Sequence, residues 1–220
     1  DFHGETEDEI PLQMTVRNPY PEFKIRAEQW LRETLPAERY AIVRPAAVWG
    51  PGDQTLGPRI VRFLRSSPWI VHFGRWRGQN RWPLAHVRTV ATACFLAATR
   101  PEAAGLALNV LDPESTTVDQ FYHLLAGVFL PGRRWRTLCL PLWIGCGFGR
   151  AVAAVSNLLN LAQPFTDPSL YAVHSVSCNL DFSNARLRDL FAAAGARWVG
   201  RDGGLAELAA GDIQFGGATP

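Results

Sequence analysis

The chain has 220 residues, of which 47% are hydrophobic and 19% are charged, and its formal net charge is +2. This composition is typical of a globular domain with a sizeable core, and so small a charge gives no support for nucleic-acid binding. The 4 cysteines form no Cys-x-x-Cys pair and the 5 histidines form no His-x-x-x-His pair. We therefore predict no metal site, and free thiols in a reducing, cytoplasmic compartment.

The chain begins with an acidic run, residues 1–9, rather than with methionine, and no signal peptide is visible. Residues 1–17 carry no clear helical or strand periodicity and are predicted to form a loop. We interpret the chain as a fragment that begins within a longer protein.

The first predicted helix begins near Tyr20, after the candidate cap Asn18, and ends near Leu35. Tyr20 and Lys24 are four residues apart and therefore share one helix face. An ammonium group beside a phenol favours the phenolate and lowers the pKa of the tyrosine, which makes an acid/base pair. The same spacing also occurs where a surface lysine packs beside a half-buried tyrosine, so the pair alone leaves both interpretations open.

Further along the chain, apolar runs and helical periodicities alternate. The predicted strands are 40–45, 69–73, 106–111 and 178–181. The predicted helices are 57–64, 88–98, 117–129, 184–194 and 205–210. This alternation predicts an α/β fold.

Three segments between these elements have their own patterns. Residues 46–53 form a turn-rich loop, and the polar loop 75–81 could form a hairpin with 82–87. Residues 138–162 are the most apolar part and are predicted to form one or two packed helices. Their uncharged stretch before Arg150 is too short to span a bilayer, so membrane contact stays open but is not favoured.

Two helix ends carry local signals. Thr117 with Gln120 three residues later forms a capping-box pattern at a helix start. Ser183 is suited to cap the helix at 184–194, and Gly195 is suited to end it.

Segments spread over nearly the whole chain resemble, in the same order, the extended short-chain dehydrogenase/reductase family. This family includes NAD-dependent sugar epimerases/dehydratases and 3β-hydroxysteroid dehydrogenase-like enzymes. The resemblance is carried by Tyr20-Pro21-Glu22-Phe23-Lys24 with Ala27-Glu28, by Ile42-Val43-Arg44-Pro45-Ala46-Ala47-Val48-Trp49-Gly50-Pro51-Gly52-Asp53, by Pro83-Leu84-Ala85-His86-Val87-Arg88-Thr89-Val90-Ala91, by 105–112 with Thr116-Thr117, and by 179–186.

The resemblance implies part of a Rossmann-type, doubly wound parallel sheet plus a smaller, mainly helical C-terminal substrate lobe. We expect residues 1–112 to form the C-terminal part of the dinucleotide-binding domain, with substrate-loop insertions around 50–86. Residues 113–220 would form the substrate lobe.

The resemblance also implies a cofactor, NAD or NADP, and a set of site residues. Tyr20 would be the catalytic acid/base, and Lys24 would assist it and hold the nicotinamide ribose. Pro45 and Val48 would line the nicotinamide end. The substrate-binding residues would be Trp49, Asp53 and His86.

The implied reaction moves a hydride between the nicotinamide and a secondary alcohol or ketone of a small-molecule substrate. A 3β-hydroxysteroid-like compound and a nucleotide sugar are both open, and the apolar C-terminal half favours the former. A homodimer is the habit of the family.

The chain departs from the family pattern in several places. No Gly-x-x-Gly-x-x-Gly turn precedes Tyr20, and neither Thr6 nor Thr15 matches the catalytic Ser/Thr of the family. Trp49 stands where the family commonly has Tyr, and Arg88 where it has Asp. We interpret the glycine-rich run 145–149 as helix-packing glycines rather than a phosphate loop.

We expect this chain alone to be inactive. The alternative function is that of a non-catalytic binding or scaffold protein built on a truncated form of the same fold.

Overall fold

The computed structural model describes residues 1–13, 19–158 and 170–210. In these residues the strands are β1 (Phe2–Glu5), β2 (Ile42–Pro45), β3 (Ala47–Trp49), β4 (Trp69–Phe73), β5 (Leu84–His86), β6 (Ala107–Val110), β7 (Arg136–Leu140) and β8 (Leu180–Phe182). The helices are α1 (Pro19–Thr34), α2 (Leu56–Ser66), α3 (Val87–Thr99), α4 (Val118–Phe129), α5 (Leu142–Leu158), α6 (Leu170–Ser177), α7 (Ala185–Ala194) and α8 (Arg201–Ala209).

Every strand pair in the described residues is parallel: β1 with β8, β2 with β6, β3 with β5, and β4 with β7. Parallel neighbours require a long crossover connection, and helices supply it here. In the pair of β2 and β6, Ile42 lies opposite Ala107 and Pro45 opposite Val110. The predicted α/β fold is therefore confirmed.

Two apolar cores lie against these strands. One packs α2, α4 and α8 on β3, β4 and β5, and includes Trp49, Ile70 and Phe121. The other packs α3 and α7 on β2, β5 and β6, and includes Leu108 and Leu187. Both cores draw residues from each side of position 112, and the division into 1–112 and 113–220 stays a prediction.

Several predicted local structures are wrong because non-local pairing decides the conformation of short segments. Within the predicted N-terminal loop, β1 forms a strand on β8, where the rings of Phe2 and Phe182 lie 4.9 Å apart. The loop at 46–53 contains β3. The predicted hairpin does not form, since residues 84–86 pair in parallel with β3 instead. The apolar stretch predicted as helix begins with strand β7, paired with β4.

Other local predictions are confirmed. The capping box is complete, since the Gln120 N–H donates to Thr117 Oγ1 and the Thr117 N–H donates to Gln120 Oε1. Gly195 ends α7 with a φ of 60°. Asn184 rather than Ser183 takes the cap position of α7, although the Ala185 N–H donates to Ser183 Oγ at 3.4 Å. Asn18, Thr15 and residues 159–162 lie outside the described part of the chain.

Candidate active site

Tyr20 and Lys24 lie one turn apart near the beginning of α1. Tyr20 is 71% exposed, and the Lys24 ammonium lies over its ring, 5.7 Å from the ring centroid. The two side chains thus share a helix face, as their spacing predicts. This arrangement presents a phenol and a cation together to a ligand at the surface, while their roles stay predictions.

Glu28 follows Lys24 by one further turn and fastens α1 to β2. Its carboxylate accepts hydrogen bonds from Arg44 Nη2 at 2.6 Å and Arg44 Nε at 3.1 Å, and from Arg32 Nη2 at 2.9 Å. Burial opposes its ionisation, but the hydrogen bonds and charges of Arg44 and Arg32 hold the pKa of Glu28 below its ordinary value. A buried carboxylate that stays ionised in this way needs its guanidinium partners.

Arg44 also connects α1 and β2 to Glu7 near the N-terminal end of the chain. Its Nη1 donates to the Glu7 carbonyl oxygen at 2.9 Å, and the buried Glu7 carboxylate accepts from the Asn109 N–H on β6 at 2.8 Å. The helix that bears Tyr20 is therefore connected to both β2 and β6 through the side chains of Glu28, Arg44 and Glu7. Pro45, the last residue of β2, and Val48, on β3, are both exposed.

Trp49, His86 and Asp112 form a buried centre beside β3 and β5. The Trp49 and His86 side chains are 1% and 0% exposed, with their rings 5.2 Å apart edge to face. The Asp112 carboxylate accepts from Trp49 Nε1 and from the His86 N–H, both at 2.7 Å. Burial raises the pKa of Asp112 to about 6 against these two hydrogen bonds, which favour its charged form.

Two glycines make room for the rings of this centre. A side chain at Gly50 would begin 2.7 Å from His86 Nε2, and at this glycine φ is +116°. A side chain at Gly204 on α8 would begin 2.6 Å from His86 Cδ2 and 2.7 Å from the Trp49 ring. Such distances are shorter than van der Waals contact, so only glycine fits at both positions.

The surroundings of His86 favour the neutral form of its imidazole. Burial lowers its pKa, while Glu207 opposes that shift and Arg88 supports it. Glu207 Oε2 lies 3.8 Å from His86 Nε2, which is too far for a hydrogen bond, and 3.2 Å from Arg88 Nε. Arg88, where the family commonly has Asp, thus pairs with a carboxylate from α8.

The Asp53 carboxylate is occupied by hydrogen bonds at the start of α2. Its carboxylate accepts from the N–H groups of Thr55, Leu56 and Gly57 at 2.7–3.0 Å, at the start of α2. The substrate-binding roles of Trp49, Asp53 and His86 stay predictions. The hydrogen bonds of the Trp49 and Asp53 side chains favour structural roles for these two, whereas the ring nitrogens of the buried His86 have no hydrogen-bond partner among the described residues.

Sequence reasoning missed the part that Asp112 plays. The signal was present, because an acidic residue directly follows the apolar run 106–111 at the carboxyl end of a strand. The partners of Asp112 come from β3 and from the end of β5, which is why spacing alone could not assign them.

The glycine-rich run lies inside α5, where Gly145 packs against the Phe73 ring: a side chain there would begin 2.8 Å from Phe73 Cδ1. This confirms helix packing for that glycine. Among the described residues, no three His, Cys, Asp or Glu side chains are grouped to hold a metal ion. No helix in the described ranges is both long and apolar enough to cross a bilayer.

Comparison with known proteins gives a consistent family. Residues 2–110 match the NAD dependent epimerase/dehydratase family. The chain is 33% identical over 154 residues to the 2-alkyl-3-oxoalkanoate reductase of Stenotrophomonas maltophilia, in a match that covers 68% of the chain and 41% of that relative. The chain thus spans less than half the length of this curated relative.

Two solved structures show the same fold at lower identity. The human epimerase family protein SDR39U1 with NADPH is 18% identical, with a TM-score of 0.61 over 95% of this chain and 60% of its own. UDP-glucuronic acid 4-epimerase from Bacillus cereus, in complex with UDP-glucuronic acid and NAD, is 12% identical, with a TM-score of 0.59 over 94% of this chain and 57% of its own.

The implied Rossmann-type sheet with a smaller, mainly helical lobe is confirmed by these likenesses. The chain belongs to the NAD dependent epimerase/dehydratase family.

Proposed function

We propose that the chain supplies the catalytic helix and substrate-binding part of an NAD(P)-dependent reductase or epimerase acting on a secondary alcohol or ketone. The observation that carries this proposal is the exposed pair of Tyr20 and Lys24 on a helix fastened to β2 through Glu28 and Arg44. Such fastening fixes the orientation of a proton donor, and fixed geometry is a major source of catalysis.

The described residues fit the nicotinamide end of the cofactor. Pro45 at the end of β2 and Val48 on β3 offer exposed apolar surface, and the carboxyl edge of parallel strands is where such folds bind ligands. Lys24 would hold the ribose and Pro45 and Val48 the nicotinamide ring. When bound, the cofactor supplies or accepts the hydride.

Tyr20 and Lys24 manage the proton in this proposal. In reduction, the Tyr20 hydroxyl donates a proton to the substrate oxygen, and in oxidation the phenolate takes that proton back. The Lys24 ammonium stabilises the negative charge on the phenolate when the proton has left.

An apolar ketone is the favoured substrate class. The name of the Stenotrophomonas relative describes the reduction of a 3-oxo acid that carries alkyl chains. The stretch 138–149 of this chain contains no charged residue, which agrees better with an apolar body than with a sugar nucleotide. Homodimer formation and a cytoplasmic location stay predictions.

The test is turnover of NADH or NADPH with a panel of ketones and 3-oxo acids. It uses the chain and a version extended to the first upstream start codon of its reading frame. Tyr20→Phe should lower turnover about 100-fold or more, while Phe23→Leu, on the same helix, should leave it unchanged. Unchanged turnover in Tyr20→Phe would overturn the acid/base role and favour a binding or scaffold function.

A further inference from the structure

A cavity of about 700 Å³ opens where the parallel strands β4 and β7 end. Its walls come from the residues that follow these two strands and from the end of α6. Gly74 ends β4 with a φ of +83°, a conformation that glycine adopts at no steric cost, and the chain turns away there. The cavity has the size of a small-molecule site and lies at the strand edge where α/β folds bind ligands.

Most of the wall is apolar. Leu140, Pro141 and Leu142 line it from the β7 side, together with the thiols of Cys139 and Cys178. Trp76 lines it from the loop after β4. Such a wall gains free energy by covering hydrocarbon and offers little to a sugar ring, whose hydroxyls need hydrogen-bond partners.

The charged side chains of the cavity, Asp1, Arg75 and Arg77, sum to one positive charge. Arg75 pairs with the Asp1 carboxylate, which also accepts from Trp76 Nε1 at 3.2 Å and from the Asn179 N–H at 2.7 Å. Arg77 also lines the cavity and is exposed. Among the residues that the structure describes, no carboxylate lies within ion-pair distance of Arg77.

The backbone of Arg77 is itself unusual, since its φ is +53°. Within the described ranges it is the only residue other than glycine with a positive φ. A non-glycine residue in this region costs free energy, and such residues are found more often at binding sites than elsewhere. This backbone conformation therefore occurs at the residue that brings an exposed cation to an apolar cavity.

We infer that this cavity binds an aliphatic monocarboxylate, with its chain against Leu140 and Leu142 and its carboxylate at Arg77. One net positive charge matches a monoanion and leaves the charge of a nucleoside diphosphate uncompensated. The role of this ligand as the substrate of the reductase rests on the proposed function. Its binding to the cavity, in contrast, does not require a cofactor.

The direct test is calorimetric titration of the chain with decanoate, in the absence of cofactor. Decanol carries the tail alone, acetate the carboxylate alone, and UDP-glucuronic acid represents a nucleotide sugar. We expect saturable binding of decanoate, weaker binding of decanol, and no displacement of decanoate by acetate or UDP-glucuronic acid. Displacement of decanoate by UDP-glucuronic acid, or absence of decanoate binding, would overturn the inference.

A charge variant tests the head group. Arg77→Asn removes the cation and keeps a residue type that tolerates a positive φ. We expect the Kd for decanoate to rise about tenfold and the Kd for decanol to stay unchanged. Arg100→Asn, at the exposed end of α3, is the matched control. Equal affinities for decanoate in Arg77→Asn and Arg100→Asn would contradict the role of Arg77.

The cysteines give an internal readout that needs no variant. Decanoate should slow iodoacetamide labelling of Cys139 and Cys178, which line the cavity, and leave the exposed Cys94 on α3 unaffected. Equal labelling rates of Cys139 and Cys178 with and without decanoate would show that decanoate does not bind in this cavity. Binding that survives while ketone turnover is absent would instead count against the proposed function alone.

Discussion

The exposed pair on α1 and the buried centre at Trp49, His86 and Asp112 both lie in segments that carry the family resemblance, yet their surroundings are opposite. Tyr20 is mostly exposed to solvent, whereas His86 and Trp49 are closed in by β3, β5 and the glycine of α8. Resemblance to a motif therefore does not by itself separate a residue proposed for chemistry from one that holds the fold, whereas burial and hydrogen bonding differ clearly between the two regions.

The largest expected effect concerns the anchor that joins the exposed pair to the fold. Glu28→Ala leaves the Arg44 guanidinium without its main partner in a largely buried setting, and we expect a loss of about 3–5 kcal/mol in the free energy of unfolding. Urea unfolding followed by circular dichroism measures it. The control Glu22→Ala removes an exposed ion pair to Arg26 and should cost about 0.5 kcal/mol or less. Equal losses in both variants would mean that α1 is not held through Glu28.

The buried centre should give stability a distinctive pH dependence. The pKa of Asp112 is raised in the folded protein from 3.8 to about 6, so the folded state holds this proton more tightly than the unfolded state. The stabilising contribution of Asp112 is therefore fully present below about pH 4 and is lost as the pH rises through about 6, a change of about 3 kcal/mol.

Urea unfolding between pH 4 and pH 7.5 checks this dependence. Relative to Asp112→Asn, the wild-type chain should lose stability as the pH rises across this window. Asp189→Asn, at an exposed position on α7, should follow the wild-type profile. Parallel profiles for the wild type and Asp112→Asn would show that folding does not raise the pKa of Asp112.

Two neighbouring glycines on α8, Gly203 and Gly204, differ in the space around them and so test the tight packing at the buried centre. Alanine normally stabilises a helix relative to glycine by about 0.5–1 kcal/mol, and Gly203→Ala should do so, since its side chain would meet only Val199 at 3.7 Å. Gly204→Ala should instead destabilise the fold by about 1–3 kcal/mol because it collides with His86 and Trp49. Melting temperatures of the two variants measure the contrast, and a shift of the same sign in both would contradict the described packing.

The smallest stability effect is expected at the exposed pair. Tyr20→Phe should change the free energy of unfolding by no more than about 0.5 kcal/mol, since most of the side chain faces solvent. The same urea titration measures it. A loss above about 2 kcal/mol would show that Tyr20 is a packing residue, and the distinction between the two regions would fail.

The sequence predicted best what depends on neighbouring residues. The position of α1, the capping box at Thr117 and the helix end at Gly195 follow from spacing and local hydrogen bonding. The short strands β1 and β7 were missed because each exists only through a partner far along the chain, β8 and β4. Strands of four or five residues are too short for a periodicity from which such a partner can be identified.

The candidate site divides in the same way. The shared face of Tyr20 and Lys24 follows from helix geometry and could be predicted. The burial of His86 depends on Gly204, and the hydrogen bonds of Trp49 depend on Asp112, both remote in sequence. These contacts arise only when α8 and β6 are in place, so spacing within the motif could not reveal them.

The most direct test of whether the face of Tyr20 and Lys24 binds the cofactor is a fluorescence titration with NADH and NADPH. It uses the upstream-extended protein and its Lys24→Met and Arg26→Met variants. We expect saturable binding that Lys24→Met weakens about tenfold. Arg26→Met, which removes an exposed cation from the same helix, should bind as the wild type does. Absence of cofactor binding, or equal affinities in the two variants, would contradict the assignment of the Tyr20 and Lys24 face to the cofactor.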